Sequence, residues 1–315
     1  MTIVTADPAV AAGLLRGGAL VAFPTETVYG LGADSTSDEA VARLFEAKGR
    51  PSFNPLIIHI ASLAAASEHG RFNSLARKLA EAFWPGPLTV VVPRRTSSPV
   101  SRLATAGLDT IGLRLPAHRA AQSLLQQVGR PIAAPSANPS GRLSPTLAAH
   151  VVGTLGSRIA AVLDGGATTI GLESTIVACL DDEPALLRPG GVPAEALEAV
   201  LGRPLRAREG HPDRPESPGQ LASHYAPRAS LRLNAGAAEP GEVLVTFGAP
   251  PESHRGETAT LSAGGDLVEA AVNLFRVLHE LDERKVSRIA VMPIPETGLG
   301  LAINDRLRRA AKPRS

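Results

Sequence analysis

Apolar positions along this chain follow two rhythms: short continuous runs, and stripes spaced three or four residues apart. The two alternate from one end to the other. Val10, Leu14 and Leu15 form one face of a helix that Asp7-Pro8 opens and Gly17-Gly18 ends. Ala19 to Phe23 is a compact apolar strand. Ser37 caps a helix with Asp38 and Glu39 in its first turn, a stripe of Val41, Leu44 and Phe45, and a stop at Gly49. Strands are expected at Leu56–Ile60, Leu88–Val92, Ile111–Leu115, Pro131–Ala134, Ile159–Leu163 and Thr175–Leu180. Helices are expected from Asn73-Ser74 to Trp84, around Ala117–Gln127, and from Pro193 to Leu201.

The pattern then breaks. Residues 203–230 are rich in Pro, Arg and polar side chains and have almost no period, which reads as a linker or surface arm. A shorter run of elements follows: strands at Leu231–Leu233, Glu242–Phe247 and Arg288–Met292, a helix capped by Asp266, and a last helix over Gly300–Ala311. Mixed helix and strand without a repeat predicts an α/β protein. The expected units are 1–203, a linker or lid over 204–230, and a smaller α/β domain over 231–315.

Composition narrows the function classes. Of 315 residues, 44% are hydrophobic and 20% charged, as in an ordinary globular protein; aromatics are only 3%, so Ala, Leu, Val and Ile must build the core. The net charge of +2 suits a polyanionic small ligand without demanding nucleic acid. A lone cysteine, Cys179, excludes a disulfide framework and a zinc cluster and points to a reducing cytoplasm. The N-terminus lacks the basic start and long apolar stretch of a signal peptide, and no apolar run is long enough to span a membrane.

No P-loop and no HExxH occurs, and Gly298-Leu299-Gly300 lacks the third glycine of a dinucleotide fingerprint. Four segments carry candidate chemistry instead. FPTETVYGLGAD (23–34) puts Thr25, Glu26 and Thr27 at a strand end, with Gly30 and Gly32 allowing close approach. KGRPSFNPLIIH (48–59) flanks a helix-ending glycine with Lys48 and Arg50, which can converge on one anion; the same pair would also suit the helix dipole. Its His59 sits inside an apolar strand, where a satisfied core histidine is equally at home. AAPSANPSGRLS (133–144) crowds hydroxyls and amides into a segment leaving a strand, a phosphate-binding composition or an ordinary turn. GLESTIV (171–177), with Arg188-Pro-Gly-Gly beyond it, adds a basic residue at another strand end. Together they predict an electropositive pocket for a triphosphate beside a smaller polar substrate, with catalysis by positioning and charge rather than by a covalent nucleophile.

These segments, in this order, resemble the YrdC-type L-threonylcarbamoyladenylate synthases over about residues 5–200. The basic pair Lys48/Arg50 and the pair Ser136/Asn138 match the family's KxR and SxN signature, SPGQLASHYAP (217–227) resembles the tether of its long form, and ETGLGLAINDRLRRAA (296–311) that form's second domain. The resemblance implies a twisted mixed sheet with a large concave cavity and a smaller, Rossmann-like C-terminal domain. It implies contacts to L-threonine from Thr27, His59, Arg114, Ala134 and Ser174. It implies nucleotide contacts from Lys48, Arg50, Asn54, Thr110, Ser136, Asn138, Ser144 and Arg188, with Tyr225 as a lid and Lys48 and Arg50 as the catalytic pair. The reaction implied joins L-threonine, bicarbonate and ATP, with Mg2+ accompanying the nucleotide and no protein-bound metal. Its product, threonylcarbamoyl-AMP, passes to a tRNA-modifying transferase complex. The competing readings are a basic double-stranded RNA- or tRNA-binding module without catalysis, which the sparse aromatics and the lack of Lys/Arg runs disfavour, and a carbamoyl-phosphate-dependent transferase lacking its usual flanking segments.

Overall fold

The computed structural model describes residues 2–207 and 224–312. In chain order its elements are β1 (Ile3–Thr5), α1 (Pro8–Arg16), β2 (Val21–Phe23), β3 (Gly30–Asp34), α2 (Asp38–Lys48), β4 (Ile57–His59), α3 (Leu63–His69), α4 (Ser74–Phe83), β5 (Leu88–Pro93), β6 (Thr110–Arg114), α5 (Arg119–Val128), β7 (Ile132–Ala133) and α6 (Ala148–Leu155). There follow β8 (Ala161–Leu163), β9 (Thr175–Ala178), β10 (Ala185–Arg188), α7 (Ala194–Leu201), β11 (Arg206–Ala207), β12 (Ser230–Arg232), β13 (Val243–Phe247), β14 (Thr258–Ser262), α8 (Leu267–Glu283), β15 (Arg288–Val291) and α9 (Leu299–Ala310).

The caps behave as the sequence predicts. Asp7, Ser37, Asn73 and Asp266 each accept a hydrogen bond from a first-turn N–H of the helix they open. The pattern missed β1, β3, α3, α6, β11 and β14; β11 pairs with β10 inside the stretch expected as the start of the linker. Two of β3's five residues are glycine, which hides the strand; it forms because β2 and β7 pair on either side of it. Helix α3 is short and alanine-rich, and its signal is the Ser62 cap.

Eleven strands make one mixed sheet in the order β1-β8-β2-β3-β7-β4-β6-β5-β9-β10-β11. Parallel and antiparallel neighbours alternate irregularly, so strand ends from distant parts of the chain gather together. The second sheet is parallel throughout, in the order β12-β15-β13-β14. Its core of Leu274, Phe275, Leu278, Ile289, Ile303 and Leu307 extends to Val28, Leu143, Leu172 and Tyr225 from earlier in the chain. No helix among the described residues is long and apolar enough to cross a membrane.

Several contacts join the two parts. Gly171 sits at φ +76°, where a Cβ would lie 2.4 Å from the Ala271 carbonyl oxygen of α8. His150 of α6 stacks on His279 of α8 with ring centroids 3.8 Å apart. Arg306 of α9, 1% exposed, donates from Nε to Glu173 Oε2 at 2.8 Å and from Nη1 to the Pro189 carbonyl at 2.9 Å. Burial pushes Glu173 up, yet the guanidiniums of Arg306 and Arg188 and the Ser144 hydroxyl win and hold it below the ordinary glutamate range.

Two expectations follow from this seam. Burial lowers both stacked imidazoles to about 4, His279 also feeling His150. The unfolded chain therefore binds more protons than the folded one between about pH 6.5 and pH 4, and stability falls as pH drops through that window. Urea midpoints measured from pH 7.5 to 4.5 should decline, and His279→Gln should flatten the decline; a wild-type profile without slope contradicts the buried, neutral pair. Arg306→Met strands a buried carboxylate and should cost about 3–5 kcal/mol in urea unfolding at pH 7.5.

Candidate active site

One end of the pocket is built by sheet register. His59 on β4 and Arg114 on β6 are direct cross-strand partners, so their side chains share a face. Arg114 Nη2 donates to Glu26 Oε1 at 2.7 Å, and its Nε to the Gly86 carbonyl at 3.3 Å. Phe23 meets the His59 ring edge-on at 5.8 Å. Burial, reinforced by Arg114, drops His59 to about 3, so it is neutral at any working pH, and its Nδ1 is buried without a partner. The hydroxyls of Thr25 and Thr27 lie 2.7 Å apart, and those of Ser174 and Thr89 2.8 Å apart.

The other end is cationic. Lys48 closes α2 and donates from Nζ to the Ser136 carbonyl at 2.5 Å and to that of Asn138. Burial, with Arg50 alongside, pulls its ammonium well below the lysine range. Arg50 donates to the carbonyls of Asn54 and Pro55, and burial lowers it to about 10. Neither Lys48 nor Arg50 has a carboxylate partner among the described residues. Arg188 donates from Nη2 to the Ser174 carbonyl at 2.8 Å. Both side-chain polar atoms of Asn54 and the Oδ1 of Asn138 are buried with no partner, the condition of groups that await a ligand.

Of the residues singled out from sequence, Thr27, Arg50, His59, Arg114, Ala134, Ser136, Ser174, Arg188 and Tyr225 share one pocket. Lys48 and Asn138 lie directly behind Ser136. The backbone of Asn54 is tied to Arg50. Ser144 faces Glu173, to which its hydroxyl donates. Thr110 stands at the opposite end of β6 from Arg114. Gly32 allows a close approach, but by protein: a Cβ there would lie 3.0 Å from the Phe23 ring and 3.1 Å from the Val21 carbonyl oxygen.

The linker enters this pocket. Tyr225, 1% exposed at φ +60°, packs against Phe275, and the Arg306 guanidinium lies 5.1 Å from its ring centre. His224 beside it is buried, and burial together with Arg50, Lys48, Arg188 and Arg306 keeps it neutral. The Tyr225 hydroxyl, His224 Nδ1 and Arg306 Nη2 are buried without partners among the described residues. With these rings in place only about 50 Å³ stays open, room for a water or two and far short of a substrate pocket. The 217–223 part of the tether motif lies outside the described residues. A roomier groove of about 670 Å³ beside the α1–β2 turn lacks comparable chemistry: its Arg43 pairs with Glu39, and its Arg158 donates to the Ala47 carbonyl.

Sequence reading gave no role to Glu173, His224 or Arg306. His224 and Arg306 lay inside quoted motifs, but only the fold shows that α9 meets β10 and the linker. Glu173 was one acid in a small-residue loop, and its signal is burial, which no spacing reveals.

This geometry has known counterparts. The Sua5–YciO–YrdC family, described as telomere recombination, matches residues 13–190, and the threonylcarbamoyl-AMP synthase C-terminal domain matches residues 192–312. A threonylcarbamoyl-AMP synthase of Bacillus subtilis is 43% identical over 98% of this chain and 94% of its own length. One from Pyrococcus abyssi is also 43% identical, over 96% of this chain and 93% of its own. The crystal structure of P. abyssi Sua5 complexed with L-threonine superposes with a TM-score of 0.88 at 41% identity, covering 99% of this chain and 97% of that one. Escherichia coli YciO, at 21% identity and a TM-score of 0.53, shares the fold alone. The chain belongs to the Sua5–YciO–YrdC family, in its long form with the threonylcarbamoyl-AMP synthase C-terminal domain.

Proposed function

We propose that this protein is an L-threonylcarbamoyladenylate synthase, making threonylcarbamoyl-AMP and pyrophosphate from L-threonine, bicarbonate and ATP for tRNA modification in the cytoplasm. The observation that carries this reading is the pairing, in one pocket, of an end that holds a neutral imidazole and a carboxylate-neutralised arginine with an end where Lys48 and Arg50 have no carboxylate partner among the described residues. The relatives named above carry that activity in their names, and the neighbouring structure holds L-threonine.

In the proposed chemistry the uncharged threonine amine adds to CO2, losing a proton, or to bicarbonate, losing water, to give N-carboxythreonine, whose new carboxylate attacks the α-phosphorus of ATP as pyrophosphate leaves. Thr27, His59, Arg114, Ser174 and the Ala134 backbone take the amino acid. Lys48, Arg50 and Arg188 offset charge on the phosphates, and Asn54, Thr110, Ser136, Asn138 and Ser144 seat the nucleotide. Tyr225 withdraws to admit ATP and then closes over it. Burial, the main cause that pulls Lys48 down, also disfavours the ammonium form of threonine in the closed pocket, which supplies the uncharged amine. No cluster of three or more His, Cys, Asp or Glu side chains is placed to hold a metal among the described residues, and Glu26 and Glu173 are both engaged by arginine. In this reading Mg2+ accompanies the triphosphate as part of the substrate. The finer expectations fit this reading: a catalytic unit over 1–203, a lid over 204–230, a Rossmann-like unit over 231–315, and hand-over of the product to a tRNA threonylcarbamoyl transferase.

The test is ATP–pyrophosphate exchange. It should require both threonine and bicarbonate, and Arg50→Ala should lower kcat/KM for ATP about 100-fold or more; exchange that ignores threonine contradicts the reading. ATP phosphates should also raise the depressed Lys48. Calorimetry in buffers of differing ionisation enthalpy near pH 8.5 should therefore register proton uptake on ATP binding, and Lys48→Met should abolish it.

A further inference from the structure

Glu26 lies between two pocket residues without being one. Thr25 and Thr27 line the pocket, while the Glu26 side chain turns beneath it, 8% exposed. Both of its oxygens are committed: Oε1 accepts from Arg114 Nη2 at 2.7 Å, and Oε2 from the Ala117 N–H at 3.0 Å, just ahead of α5. Its own carbonyl accepts from the Ile170 N–H at 2.8 Å. The carboxylate is thus anchored on two sides and grips one edge of the guanidinium, while the Gly86 carbonyl grips another through Nε. Arg114 has no further hydrogen bond among the described residues, and Nη1 is left for a ligand.

We infer that Glu26 is the positioning residue of the amino-acid end of the pocket. It fixes the plane of the Arg114 guanidinium so that one N–H edge meets a small carboxylate, and it acts on substrate only through Arg114. A guanidinium recognises a carboxylate by a planar fork, so a fixed plane matters more than added charge. A flexible arginine would have to order on each binding event. Cancelling the charge of Arg114 has a second consequence. Lys48 and Arg50, which lack such a partner, become the favoured seat for the more highly charged triphosphate, and the two substrates are sorted to opposite ends.

The inference rests on the reading that Arg114 takes the carboxylate of threonine, and the experiment separates the two. Calorimetric Kd values for threonine and for ATP, with KM values from the exchange assay, are measured for Glu26→Gln, Arg114→Lys and the double variant. Glu26→Gln keeps an acceptor for Arg114 but turns a donor toward the Ala117 N–H, releasing the anchor. It should raise Kd and KM for threonine about tenfold and leave ATP within about twofold. Because Glu26 works through Arg114, the double variant should bind threonine no more weakly than Arg114→Lys alone. Equal losses for both substrates, or additive losses in the double variant, overturn the inference. An Arg114→Lys variant that binds threonine normally overturns the underlying reading as well. Should Glu26→Gln not accumulate as folded protein, Glu26→Asp, which keeps the charge but shortens the reach, is scored on the same ratio of threonine to ATP effects.

Discussion

Two buried cations, Lys48 and Arg50, that have no carboxylate partner among the described residues are the constraint on which this molecule turns. Both are nearly inaccessible to water, while the carboxylates of Glu173 and Asp305 pair with Arg306 instead. Desolvating a charge is costly unless it is paired. Here Lys48 and Arg50 lean on backbone carbonyls and have lowered pKa values. Under the proposed function, the triphosphate is the polyanion that completes this arrangement.

The linker follows from the same imbalance. An apolar side chain thrust among cations would gain nothing electrostatically. An aromatic face attracts a guanidinium, and Tyr225 lies against Arg306 while burying its ring on Phe275. His224, held neutral, adds no charge to the crowd. The C-terminal unit thereby does more than append mass: Arg306 binds Glu173 on the sheet side and faces Tyr225 on the linker side. The His224–Tyr225 rings that fill the pocket are thus supported by both halves of the chain.

Much of this was legible in the sequence, for identifiable reasons. Caps such as Ser37 and Asp266 are local hydrogen-bond events and announce helix starts directly. The basic pair and the Ser136/Asn138 segment have composition that few structural loops require. What stayed hidden was non-local. Glycine-rich β3 exists because of its neighbours. Gly32 makes room for Phe23, whereas its pattern suggested room for a ligand. The ion pair of Glu26 with Arg114 joins residues 88 apart in the chain, and that of Arg306 with Glu173 joins residues 133 apart. Sequence spacing could not pair them, because only the order of strands in the sheet brings them together.

A crystal structure of the protein grown with ATP, Mg2+ and L-threonine tests the central claim most directly. The account predicts phosphate oxygens within hydrogen-bond distance of Lys48, Arg50 and Arg188, the threonine carboxylate on Arg114, and the Tyr225 ring shifted from the position that now fills the pocket. A nucleotide seated elsewhere, with Tyr225 unmoved and Lys48 and Arg50 still facing only carbonyls, would contradict it.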